Sequence, residues 1–138
     1  MATDIWIHIE YKSRKNKKYK YAGEFDGERL YSVFGILAGV RSDIKSIYPP
    51  RGLPDDASDE LLCAYKNRFP DCHTPSYLYT SEFRECLDIV DELIHKYDEK
   101  EGTTYNPNWL KSYEFIYEYM QTSDKEGEPA RMVFWFDN

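Results

Sequence analysis

Alternating apolar and polar positions predict a β-strand at each end of the chain. An isoleucine stands at every second position between Asp4 and Tyr11, and a methionine or a phenylalanine does so between Ala130 and Asp137. Such alternation is typical of a strand that buries one of its faces. The apolar positions are Ile5, Ile7, Ile9, Met132, Phe134 and Phe136. We call the sheet face that carries them the first face, and the opposite face the second face.

A further alternating run follows the first strand closely. Tyrosines alternate with lysines after Lys18, in a run that ends at Phe25, and a basic segment precedes it. Two alternating runs joined by a short polar segment predict a β-hairpin, and we place its turn near residues 15–17. The N-terminal part of the chain is therefore expected to form this hairpin.

Apolar residues at steps of three and four predict helices in the middle of the chain. The longest helix has its apolar stripe between Phe83 and Tyr97, and Thr80 is expected to cap it. The others are predicted at Leu30–Val40, at Asp59–Asn67, and from Asn106 and Pro107 through Met120. Trp109 and Tyr113 are expected on the buried stripe of the last of these helices. Prolines interrupt the pattern elsewhere, so residues 41–56 and 69–79 are predicted to be loops.

Strands at both ends with helices between them are typical of the α+β class. We predict a small antiparallel sheet made of the N-terminal hairpin and the C-terminal strand. Three or four helices are expected to cover its first face. The chain has 138 residues, which is enough for one domain and too few for two ordinary ones. A single domain over residues 1–138 is therefore expected.

Charge and cysteine content argue against several classes of protein. Lys and Arg number 18 against 25 Asp and Glu, and this net charge of −7 argues against general nucleic-acid binding. No apolar run predicts a transmembrane helix, and the N-terminus lacks the features of a signal peptide. The three cysteines show neither disulfide nor zinc spacing, which fits a reducing cytosol. We expect no metal and no cofactor, and no standard catalytic signature is present.

The second face carries side chains that suit ligand recognition. If the first and last strands are neighbours, this face brings together Trp6, His8, Arg131 and Trp135. Indoles stack on planar ligands, and a guanidinium fork binds phosphate or carboxylate. The set therefore predicts a binding site for a planar, charged ligand. Two alternatives stay open, a solvated face and a face packed against another copy of the chain.

Two predicted loops carry further candidate binding residues. Arg51 stands among prolines and beside Gly52, which predicts a rigid loop suited to holding an anion. The second loop offers the imidazole of His73, the hydroxyl of Ser76 and the ring of Tyr77. A rigid connector and a helix cap are the alternative interpretations of these loops. A serine near a histidine, without a Gly-x-Ser-x-Gly motif, is weak evidence for a nucleophile.

Five strings spread over nearly the whole chain carry a family resemblance. They are Asp4-Ile5, Val33–Arg41, Pro50–Asp56, His73–Leu78 and Val133–Asn138. Together they resemble a family of small bacteriophage and prophage proteins. Members of that family often begin Cys-Asp-Ile-His, whereas this chain has Trp6 in place of the histidine. The resemblance implies a virus-encoded accessory protein in the host bacterial cytoplasm and brings no established activity.

The leading hypothesis is a phage accessory protein that binds and sequesters a small anionic ligand without catalysis. The expected ligand is a nucleotide signal of host immunity, and a homo-oligomer is expected because shared faces build deeper pockets. The expected ligand-binding residues are Trp6, His8, Arg51, His73, Ser76, Tyr77, Arg131 and Trp135. One alternative is a protein-interaction module that inhibits a host defence protein. The other is a hydrolase or phosphodiesterase that uses His8 and His73.

Overall fold

The computed structural model describes residues 2–106 and 108–137, in which four strands and four helices form an α+β fold. The strands are β1 (Asp4–Lys12), β2 (Tyr19–Phe25), β3 (Cys72–Tyr79) and β4 (Ala130–Asp137). The helices are α1 (Tyr31–Ala38), α2 (Asp59–Arg68), α3 (Thr80–Glu101) and α4 (Lys111–Lys125). None of the helices described is long and apolar enough to cross a membrane.

The strands form one antiparallel sheet in the order β2-β1-β4-β3. Its central pair joins the first and last strands, with Asp4 opposite Asp137 and Tyr11 opposite Ala130. The prediction of an α+β fold, built on the N-terminal hairpin and the C-terminal strand, is confirmed. The sheet contains β3 in addition.

Helices α1, α3 and α4 cover the first face. The ring of Phe34 on α1 packs edge-on against Phe136 of β4, with ring centroids 5.1 Å apart. Phe83 of α3 and Tyr113 of α4 are fully buried in the same core. The apolar positions that predicted this face are all buried, namely Ile5, Ile7, Ile9, Met132, Phe134 and Phe136. Removal of these side chains from water is the main force that holds the layers together.

The prediction of a loop over residues 69–79 is wrong, because Cys72–Tyr79 form strand β3 against β4. A bulge interrupts the pairing between His73 and Ser76, and Thr74 within it has a φ of 54°. The bulge and Pro75 break the alternation by which a strand is recognised, and an edge strand tolerates a proline. Thr80 is consequently the first residue of α3 rather than its cap.

The last helix starts later than predicted. Of the expected start at Asn106 and Pro107, Pro107 lies outside the described residues, and α4 begins at Lys111. Trp109, expected on the buried stripe, precedes the helix and is exposed. Tyr113 is buried as predicted.

Helix α2 lies against the second face. Its Leu61 is fully buried together with Val133 and Trp135 of β4. The segment that leads into α2 adds Leu53 and Ala57 to this apolar cluster. The sheet is therefore covered on both faces, and the second face has a small core of its own.

Candidate functional site

The second face, where the sequence predicts a ligand site, is covered by the chain itself. Trp135 is fully buried and His8 is 3% exposed. Their rings stack with centroids 4.6 Å apart, and Tyr65 of α2 meets Trp135 edge-on at 5.0 Å. Both the solvated face and the face paired with another copy are therefore wrong for these residues. The apolar pattern of α2 does not reveal which face of the sheet the helix crosses.

The positive charge of Arg131 is neutralised by carboxylates of the chain itself. Its guanidinium is buried and donates to Glu10 Oε1 at 2.9 Å and to Asp56 Oδ1 at 2.8 Å. The guanidinium also lies over Tyr19, 3.4 Å from the ring centroid. The bond from Arg131 lowers the pKa of the Asp56 carboxyl. Arg131 thus joins β1, β4 and the start of α2, and no free charge is left for an external anion.

Arg51, Ser76 and Tyr77 do come together, as a clamp between the proline-rich loop and β3. The guanidinium of Arg51 donates to both carboxylate oxygens of Glu82, at 2.7 and 2.6 Å. It also donates to the carbonyl of Tyr77 at 3.1 Å, and the backbone N–H of Arg51 donates to Ser76 Oγ at 3.0 Å. The ion pair lowers the pKa of the Glu82 carboxyl. The anion expected at Arg51 is thus a carboxylate of the chain itself.

The two histidines considered for catalysis lie on opposite faces of the sheet. His8 stands opposite Val133 on the second face. His73 stands opposite Phe136, and the two rings pack together on the first face with centroids 6.2 Å apart. Nδ1 of His73 lies 2.8 Å from Thr74 Oγ1. Two imidazoles separated by a sheet do not reach one scissile bond, so the geometry disfavours the hydrolase alternative.

One edge of the second face opens into a cleft between β2 and α2. The cleft has a volume of about 230 Å³. It is lined by His8, Tyr21, Glu24, Ala64, Asn67 and Arg68. We call it the His8 cleft. β1 and β2 supply His8, Tyr21 and Glu24, whereas the last turns of α2 supply the remaining residues.

His8 is neutral at pH 7. Its Nδ1 lies 2.8 Å from the hydroxyl of Tyr21, and its Nε2 lies 3.7 Å from the carboxylate of Glu24. Burial, together with the positive charge of Arg68 nearby, lowers the pKa of His8 from 6.5 to about 4. The contact with Glu24 is therefore not an ion pair at neutral pH. The Nε2 atom of the ring is thus a neutral hydrogen-bonding group in the cleft.

Arg68 forms the cationic wall of the His8 cleft. Its guanidinium carbon lies 3.4 Å from the centroid of the Trp6 ring. The indole N–H of Trp6 in turn donates to Asp137 Oδ2 at 2.7 Å, which holds the ring in place. Among the described residues, Arg68 belongs to no ion pair. A cation on the last turn of a helix is also favoured by the helix dipole.

Of the residues that line the cleft, the sequence predicts only His8 as a site residue, and the predicted Trp6 lies beside the cleft, against Arg68. Glu24, Asn67 and Arg68 become neighbours of His8 only when α2 crosses the second face. The one signal in the sequence is a pair of basic residues, Lys66 and Arg68, at the end of the predicted helix and just beyond it. That signal is common at helix ends and does not point to a ligand.

An exposed aromatic cluster lies on the other side of β2. Phe115 and Tyr119 of α4 are exposed and pack against Phe25, with ring centroids 6.5 and 4.8 Å away. Beside them runs a groove of about 520 Å³, bordered by Phe25, Phe115, Asp26, Glu28 and other residues. We call it the Phe115 groove. It lies on the first-face side of the sheet, away from the His8 cleft.

Comparison with protein-family models, curated proteins and solved structures gives no match for this chain. The resemblance to small phage proteins stays a prediction. Within residues 2–106 and 108–137, no group of three or more His, Cys, Asp or Glu side chains is placed to hold a metal ion. The His8 cleft and the Phe115 groove are the candidate functional sites of the described residues.

Proposed function

We propose that the chain is a non-catalytic binding protein that holds a small anionic ligand in the His8 cleft. The observation that carries this proposal is the guanidinium of Arg68, which borders the cleft without an ion-pair partner among the described residues. Arg51 and Arg131, by contrast, each hold a carboxylate of the chain. A guanidinium fork binds a carboxylate or a phosphate through two parallel hydrogen bonds.

The size of the His8 cleft favours a ligand smaller than a nucleotide. Its volume of about 230 Å³ is below the roughly 300–1,000 Å³ of pockets that bury drug-sized ligands. The imidazole of His8, the hydroxyl of Tyr21 and the amide of Asn67 are available to orient a small ligand. A nucleotide immune signal as ligand, a phage origin, a host cytoplasm and a homo-oligomer stay predictions of the sequence.

Binding suits the chemistry of His8 better than catalysis does. A general base works best when its pKa lies near the working pH. The pKa of His8 is lowered to about 4, so the ring is a weak base at pH 7. Glu24 is the single carboxylate among the residues that line the described cleft. These groups support reversible binding without turnover.

An NMR titration with acetate and with inorganic phosphate tests the proposal. We expect saturable shifts of the His8 ring and Arg68 side-chain signals in the wild-type protein. Arg68→Gln should weaken binding roughly 10- to 150-fold, because a hydrogen bond to a charged group contributes about 1.5–3 kcal/mol. The affinity is measured from the shift as a function of anion concentration.

Lys66→Gln is the matched control. Lys66 carries the same charge on the last turn of α2, is exposed and does not line the His8 cleft. We expect this variant to bind as the wild type does. Equal losses in the two variants would reveal a general charge effect, and an absence of saturable shifts with both anions would contradict the proposal.

The Phe115 groove supports protein interaction as a second candidate function. Phe115 is 61% exposed, and an exposed aromatic patch of this kind is typical of a surface that a partner covers. The groove is lined by two acidic residues, Asp26 and Glu28, and one basic residue, Lys111. None of the three belongs to an ion pair among the described residues. The chain also carries a net charge of −7. Charge complementarity therefore favours an apolar partner segment flanked by Lys or Arg.

Two synthetic peptides test this second function. One carries leucine and phenylalanine anchors flanked by lysines, and its twin has glutamates in place of the lysines. We expect the lysine peptide to bind more tightly, and Phe115→Ser to weaken it by about 2 kcal/mol, or roughly 30-fold, as loss of an aromatic anchor does. Binding is measured by calorimetry.

Tyr97→Ser is the control for the Phe115 groove, because Tyr97 is a 58% exposed aromatic on α3 that does not border it. This variant should bind the lysine peptide as the wild type does. The interaction hypothesis fails if both serine variants lose affinity alike, or if the two peptides bind equally well.

A further inference from the structure

We infer that the ligand of the His8 cleft is a zwitterion, whose ammonium group Glu24 binds while Arg68 binds its anionic group. The inference rests on the proposed function, because it names the chemical class that the same cleft takes. An α-amino acid with a short side chain is the simplest ligand of this class.

Glu24 supplies the first observation. It stands directly opposite His8 in the pairing of β1 and β2, and its side chain is 48% exposed. Its nearest cationic candidate among the described residues is the ring of His8, with Nε2 at 3.7 Å. That ring is neutral at pH 7, so the carboxylate of Glu24 is left without a counter-charge. This negative charge at the mouth of the cleft repels a simple anion, so binding of a simple anion does not explain it.

The separation of the two charges is the second observation. Glu24 comes from β2 and Arg68 from α2, and both line the same cleft. Long side chains of opposite charge readily form an ion pair when they reach each other. Glu24 and Arg68 form no ion pair, so their charged atoms lie more than 4.0 Å apart. The cleft thus presents a negative wall and a positive wall with a gap between them.

A zwitterion bridges that gap in a way that a plain anion does not. Its carboxylate accepts hydrogen bonds from the fork of Arg68. Its ammonium group donates to Glu24, and the free Nε2 of His8 lies beside that carboxylate. The volume of about 230 Å³ corresponds to roughly eight waters at about 30 Å³ each. A free amino acid with a short side chain is smaller than this volume and fits within the cleft.

Three small molecules separate the chemical groups in the test. L-alanine carries both charges, propionate lacks the ammonium group, and ethylamine lacks the carboxylate. In NMR titrations of the wild-type protein we expect L-alanine to bind at least 10-fold more tightly than propionate or ethylamine. Glu24→Gln should abolish the preference of L-alanine over propionate, whereas Arg68→Gln should weaken the binding of both.

Glu118→Gln is the matched control, because Glu118 is an exposed carboxylate on α4 that does not border the His8 cleft. It should keep the full preference for L-alanine. The zwitterion inference is overturned, and the proposed function stands, if L-alanine and propionate bind alike in the wild type. It is also overturned if Glu24→Gln keeps the preference. If none of these molecules and neither simple anion binds, the proposed function falls first and the inference falls with it.

Discussion

Two opposite charges meet at the centre of the second face, in the buried pair of Arg131 and Glu10. Glu10 also accepts a hydrogen bond at 2.7 Å from the backbone N–H of Ser58, at the start of α2. Burying two charges costs several kcal/mol, which their pairing and added hydrogen bonds offset. The pair therefore fixes where α2 docks on the sheet and adds little net stability.

Breaking this pair from one side should be costly. We expect Arg131→Met to destabilise the protein by about 3–5 kcal/mol, because it leaves the carboxylate of Glu10 buried without a counter-charge. Adding Glu10→Gln to that variant should restore much of the loss, since glutamine is neutral and still accepts the bond from Ser58. Urea unfolding of the single and double variants measures the effect. Losses that simply add would contradict the coupling.

His8 should make the stability of the protein depend on pH above the range where carboxylates titrate. Its pKa is about 4 when folded, against 6.5 for a free histidine. Between these values the unfolded chain binds a proton that the folded chain does not, so stability falls as pH falls from 6.5 towards 4. The full loss is about 3 kcal/mol.

The pH effect is measured by urea unfolding between pH 7 and pH 5. His8→Phe keeps a ring against Trp135 and removes the titrating group, so its stability should change less over this range. The lowered pKa values of Asp56 and Glu82 contribute only at lower pH, where these carboxylates begin to bind protons. The same slope in wild type and variant would show that His8 is not the cause.

Helix α2 covers the second face and packs with it to form a second, smaller core. It begins at the Ser58 cap and carries acidic residues in its first turn and basic ones in its last, as the helix dipole favours. Its single fully buried side chain is Leu61, which packs with Val133 and Trp135. The attachment of the whole helix therefore depends heavily on one leucine.

Leu61→Ala should cost about 2–5 kcal/mol, because it removes the anchor and leaves a cavity beside Trp135. Leu62→Ala should cost clearly less, since Leu62 is only partly buried. Urea unfolding measures both, and quenching of tryptophan fluorescence by acrylamide reports whether Trp135 becomes accessible. Similar small costs for the two variants would mean that α2 rests loosely on the sheet.

Elements with a regular pattern were predictable, and those that break it were not. The alternation of Ile5, Ile7 and Ile9 predicts β1 to within one residue, and β4 is predicted at its observed bounds. Strand β3 is not predicted, because a bulge and Pro75 interrupt its alternation of apolar and polar residues. The sequence does not predict which face of the sheet α2 covers. That choice depends on contacts between residues distant in sequence, such as Ser58 with Glu10.

For the molecule as a whole, the sequence identifies the residues that share a face but not what covers them. Trp6, His8 and Trp135 do gather on the second face. The sequence predicts Arg51 and Arg131 as ligand-binding residues, whereas both are paired within the chain. A pattern of residue types does not show which carboxylate will reach a given guanidinium. Only the tertiary structure shows that Arg51 and Arg131 are paired and that Arg68, within the described part of the chain, is not.

The pairing of β1 with β4 at the centre of the sheet has a consequence for biosynthesis. Of the described elements, the N-terminal hairpin leaves the ribosome first and β4 leaves last. Until β4 emerges, Ile7 and Ile9 lack the neighbouring strand that completes their face of the sheet. The nascent chain therefore keeps this apolar surface exposed until β4 emerges, the kind of surface that chaperones bind. The contacts between β1 and β4 are long-range, and such contacts should make folding slow.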